Sequence, residues 1–102
     1  MKINKKRQTD LVTLLRNNAI ILDVRTCHEF VGGHIEGAIN IPFEDIDLFC
    51  EEIKSWETPV LVCCSHGLRS EKAVRLLRLT GVDAYDAGSW ETLAQIKEIF
   101  KV

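Results

Sequence analysis

The 102-residue chain has no apolar run of membrane-spanning length, no Cys-x-x-Cys pair, no internal repeat and no low-complexity tract or linker. The first absence removes a transmembrane helix. The second removes the common zinc spacing, and adjacent Cys63 and Cys64 are badly placed to bind one tetrahedral ion together, so no metal is expected. Charge of one sign is also missing. A net charge of -2 gives no general field toward nucleic acid or an anionic membrane, and neither is expected as a partner. Arg16, Asn17 and Asn18 interrupt what would have to be a signal-peptide apolar core. The chain is therefore read as cytoplasmic and unprocessed. That compartment argues against structural disulfides among Cys27, Cys50, Cys63 and Cys64.

What remains is an ordinary globular composition of one-domain length, 46% hydrophobic and 27% charged. Lys2, Lys5, Lys6 and Arg7 suggest a basic N-terminal arm over residues 1–8, with a single domain over 9–102. Glu44, Asp45, Asp47, Glu51 and Glu52 read as a solvated helix face. Thr9 or Asp10 can cap a first helix carrying Leu11, Leu14 and Leu15, stopped at Asn17–Asn18. Short apolar runs at 19–24, 38–41 and 60–63 read as buried strands, and 82–85 as a weaker one. Helical spacing follows in Ile46, Phe49, Cys50 and Ile53, in Ala73 to Leu77, and in Trp90 to Phe100. This alternation predicts an α/β domain with a mostly parallel central sheet and helices on both faces.

The stretch VCCSHGLRS, residues 62–70, ends one strand and opens the next helix. Sites in open parallel sheets lie beyond the carboxyl ends of the strands. Ser65, His66, Gly67 and Leu68 would form a tight turn whose N–H groups converge above the helix N-terminus. That is an anion cradle with a thiol in it, and Arg69 can hold an anionic substrate or brace the backbone. Taken alone, the spacing is about equally compatible with two buried, inert cysteines.

The surrounding residues carry a resemblance. ILDVRTCHEFVGGHIEGAINIPFEDI (21–46) is similar to the first motif of the rhodanese family. VCCSHGLRS resembles that family's active-site strand and loop, and DAGSWETL (86–93) its third motif. Aligned through Gly67-Leu68-Arg69-Ser70, the resemblance puts the nucleophile on Cys64, with Ser65 to Arg69 as the substrate-binding loop. It implies the rhodanese fold and a ping-pong sulfur transfer. The Cys64 thiolate takes the outer sulfur of a donor such as thiosulfate, and a thiol acceptor, a protein acceptor or cyanide then removes it. No cofactor is implied, since sulfur is the cargo.

Asp23 and Arg25 stand at a strand end near this loop, where the family uses such a pair mainly to organise loops. Cys27 is a candidate resolving thiol for a Cys64 persulfide. Leu68, apolar where many members are polar, suggests a protein or apolar surface opposite and counts against thiosulfate as the physiological donor. Two other readings stay open. Counted from Cys63, the loop is Cys-x5-Arg, the length used by cysteine phosphatases and arsenate reductases. A non-catalytic regulatory or docking module is the third reading.

Overall fold

The structure, a computed structural model, describes residues 5–102. In chain order the elements are α1 (Lys5–Arg16), β1 (Ile20–Asp23), α2 (Cys27–Val31), β2 (Ile39–Asn40), a 3-10 turn (Phe43–Asp45), α3 (Ile46–Ser55), β3 (Val60–Cys64), α4 (Leu68–Leu79), β4 (Ala84–Ser89) and α5 (Trp90–Phe100). The strands form one sheet in the order β2-β1-β3-β4, and every neighbouring pair is parallel. The α/β class and the all-round helical cover expected from the alternation are therefore present.

Helices cover both faces because the strands are apolar on both. Leu22, Val24, Val60, Val62 and Cys64 pack on one face with Ile46 and Ile53 of α3 and Ala73, Val74 and Leu77 of α4. Ile21, Leu61 and Cys63 pack on the other with Leu11 and Val12 of α1 and Leu93 and Ile96 of α5. Successive strand residues point to opposite faces. VLVCC is buried throughout, so its two cysteines enter different halves of the core.

The structure adjusts three expected boundaries. α1 begins at Lys5, so it takes in residues read as an arm; Lys2 lies outside the described residues. Arg7 ties this turn down by donating to the Asp86 carbonyl at 2.7 Å, and Lys6 pairs with Asp10 at 3.6 Å. α2 was not visible as a helix. It buries no side chain, so it has no apolar periodicity, and a Thr26–Glu29 capping box holds it instead. β4 runs on to Ser89, past the expected end at Tyr85. A bulge between Val62 and Cys63 carries the ladder past Ala87, while Asp86, the register partner of Val62, faces α4 and reaches Ser70.

Candidate active site

The carboxyl end of β3 delivers Cys64 to a loop closed by the first turn of α4. Gly67 stands at the N-cap with φ 87°, a left-handed conformation that an L side chain resists. That turn aims two backbone donors at one atom. The N–H groups of Gly67 and Ser70 reach the Cys64 sulfur at 3.0 and 3.3 Å. The arrangement places fixed partial positive charge where negative charge on sulfur must be held.

The Ser70 hydroxyl is the third group on that sulfur. It lies 3.4 Å from Cys64 Sγ, 2.8 Å from Asp86 Oδ1 and 3.1 Å from the Gly67 carbonyl. It has one proton to give, and a carboxylate is the strongest of these acceptors. Ser70 thus donates to Asp86 and accepts from the Cys64 thiol. Asp86 is fixed in turn by the Gly88 N–H at 2.9 Å.

Cys63 has no part in this cradle. Its side chain lies in the α1/α5 core, fully buried. Burial pushes its thiol well above the ordinary range, and the Asp23 charge pushes the same way.

Arg69 turns toward α2. Its two terminal nitrogens grip Glu29 through Oε1 at 2.8 Å and Oε2 at 3.1 Å. Ser65 donates to Glu29 Oε2 at 3.1 Å, so its hydroxyl serves this carboxylate. Glu29 also accepts the Thr26 N–H at 2.9 Å. The Arg69 hydrogen bonds, then the Thr26 N–H, hold the Glu29 carboxyl well below the usual carboxylate range. Of the remaining loop residues, His66 and Leu68 are exposed.

Asp23 and Arg25 form a buried bidentate pair, with Arg25 Nη2 2.8 Å from Asp23 Oδ2 and Nε 3.0 Å from Oδ1. Arg25 also donates to the carbonyls of Gly33 at 2.7 Å and Glu29 at 3.3 Å, and its guanidinium lies 4.6 Å from the Trp90 ring centre. The pair therefore joins β1, α2 and α5 beside the loop. Cys27 opens α2 and is exposed, outside the groups that hydrogen-bond to the Cys64 sulfur. No cluster of metal-ligating side chains occurs among the described residues.

Glu29, Ser70 and Asp86 are site residues that the sequence reading did not single out. Glu29 had a signal, the T-x-x-E capping pattern. Ser70 stood next to Arg69 in the loop motif. Asp86 opened the DAGSWETL stretch, but nothing local named Ser70 as its partner.

A family model for the rhodanese-like domain matches residues 7–94. The chain is 41% identical to the Bacillus subtilis protein YqhL over 63 residues, covering 62% of this chain and 49% of that one. It is 35% identical to the thiosulfate sulfurtransferase GlpE of Shewanella oneidensis over 63 residues, covering 62% of this chain and 61% of that one. These matches span about half to three-fifths of the relatives' lengths. The human single-domain sulfurtransferase TSTD1 superposes with a TM-score of 0.69 at 26% identity, covering 85% of this chain and 91% of that one. With its sheet order, its loop and the matched motif region in agreement, this chain belongs to the rhodanese-like domain family.

Proposed function

We propose that the protein is a sulfurtransferase that carries a sulfane sulfur as a persulfide on Cys64. The observation that carries the reading is the convergence of the Gly67 and Ser70 N–H groups on that one sulfur. The donor's S–S bond breaks with its electron pair on the leaving group, and a new S–S bond forms to Cys64. The outer sulfur is then negative and can meet loop amides in its turn. An acceptor thiolate attacks it and regenerates Cys64. Cys27, exposed on α2, is the thiol proposed to resolve the persulfide when no acceptor is present: its thiolate bonds to the Cys64 sulfur, the persulfide S–S bond breaks, and hydrosulfide leaves a Cys27–Cys64 disulfide. The relatives named as a thiosulfate sulfurtransferase and a single-domain sulfurtransferase support this reaction class.

The Cys63-based phosphatase or reductase reading has less support, because the Cys63 side chain packs in the opposite core, away from the loop. Substitution separates the two. Cys64→Ser should lower sulfur loading by about a thousandfold or more, whereas Cys63→Ala should stay within about threefold of wild type. Oxyanion turnover that survives Cys64→Ser and dies with Cys63→Ala would replace this reading with the other.

A further inference from the structure

Each guanidinium around the loop is matched to a carboxylate. Arg25 is on Asp23, Arg69 is on Glu29, and Arg7 lies 3.9 Å from Asp86. The Arg69 match bears most directly on substrate. A planar guanidinium fork is the natural clamp for the oxygens of an oxyanion. Here Glu29 occupies the end-on fork, taking one N–H from each terminal nitrogen, and Nη2 also reaches the Ser65 hydroxyl at 3.4 Å; the Glu29 carboxylate has the geometry that a sulfonate or sulfate edge would present. Ser65, another side-chain donor of the loop, is also spent on Glu29.

We infer that Glu29 is a specificity-determining residue, an internal anion that fills the Arg69 fork and turns the loop from dianionic donors such as thiosulfate toward monoanionic organic persulfides. The inference rests on the sulfurtransferase reading. The two donors differ in charge at every stage. Thiosulfate arrives with two negative charges, and its S–S bond breaks to leave sulfite, again with two. A persulfide R–S–S⁻ arrives with one; Cys64 bonds to its outer sulfur, the S–S bond breaks toward R–S, and R–S⁻ leaves with one. Two backbone amides can hold the transferred sulfur, but the second charge of thiosulfate has to compete with Glu29 for the guanidinium. Acidification within the neutral range does not empty that fork, because Arg69 and the Thr26 N–H keep Glu29 ionised. The exposed apolar Leu68, 64% accessible at the first position of α4, fits the organic part of such a donor.

Glu29→Gln tests the charge while sparing the shape. Glutamine also serves the third position of a capping box, so α2 keeps its Thr26 cap and Ser65 keeps an acceptor. Loading of Cys64 is followed by intact mass at subsaturating thiosulfate and, separately, cysteine persulfide. Thiosulfate loading should rise about tenfold in Glu29→Gln, the size of one gained charge-assisted contact, while persulfide loading changes less than about threefold. Sulfate, an unreactive dianion, should slow persulfide loading of Glu29→Gln at concentrations that leave wild type unaffected. Equal rises with both donors, or no rise with thiosulfate, would overturn the inference and leave the sulfurtransferase reading standing. Should the variant fail to fold, the wild type decides alone, since strong sulfate inhibition of its persulfide loading would overturn the inference. Failure of both donors to load wild-type Cys64 would sink the sulfurtransferase reading and this inference together.

Discussion

The two faces of the sheet end differently at the same edge. On the α1/α5 face, β1 and β3 finish at Asp23 and Cys63, which are register partners, and Arg25 covers the carboxylate beneath Trp90. That side is closed by a buried ion pair. On the α3/α4 face, β3 finishes one residue later at Cys64, and backbone donors and Ser70 surround the sulfur. That side ends in groups able to hold charge on sulfur. One peptide unit separates a thiol locked neutral in apolar surroundings from one set in a polar cradle. Chemical identity and sequence position hardly distinguish the two cysteines; the pleat of the strand does.

Four substitutions sharpen or break this contrast. The largest effect should come from Arg25→Ala, which strands Asp23 as an uncompensated buried charge. A loss of about 3–5 kcal/mol in denaturant unfolding is expected, and a loss near zero would remove the ion pair from the closed face. Cys63→Ser should cost about 1–3 kcal/mol, because its hydroxyl enters an apolar site without a designed partner. Cys63→Ala should cost less, with sulfur loading retained in both. Ser70→Ala should cost about 1–2 kcal/mol, because the Asp86 carboxylate loses a buried donor, and should speed Cys64 alkylation by about two- to tenfold, because the lost hydroxyl accepts from the thiol and so favours its protonated form. An unchanged alkylation rate would take the Ser70 hydroxyl out of the cradle.

The smallest effect concerns Glu29 and pH. Its carboxyl is held below its ordinary value of 4.5, so the stability it adds is fully present above that value and is lost as pH falls through the depressed one. The melting difference between wild type and Glu29→Gln should therefore stay flat from about pH 5 to pH 8 and close only in strong acid. The pair is partly exposed, which limits the difference to about 1 kcal/mol or less. A gap that opens or closes near neutral pH would mean that another group controls it.

Much of this was legible in the chain. The runs IILD and VLVCC announce strands buried on both sides, and the amphipathic spacing of α3, α4 and α5 announces their cover. The loop motif gave Cys64 its place, and strand alternation could have put Cys63 on the other face. What stayed hidden depends on pairings distant in sequence. Arg69 looked like an anion clamp because its partner lies 40 residues away, on a helix too short and too exposed to show a period. Ser65, read as part of the substrate-binding loop, turns to the same distant carboxylate. Asp86 shares the α3/α4 face with its register partner Val62, but its partner Ser70 lies 16 residues away on α4, and no local pattern names that pairing.

The most direct test of the account is the intact mass of the reduced protein after exposure to a sulfane-sulfur donor, with the modified residue located by peptide mapping. The account predicts one added sulfur atom, on Cys64, removed by cyanide with release of thiocyanate. Sulfur found on Cys63 instead, or none on Cys64 with thiosulfate and with cysteine persulfide alike while its thiol is shown to be free, would contradict it.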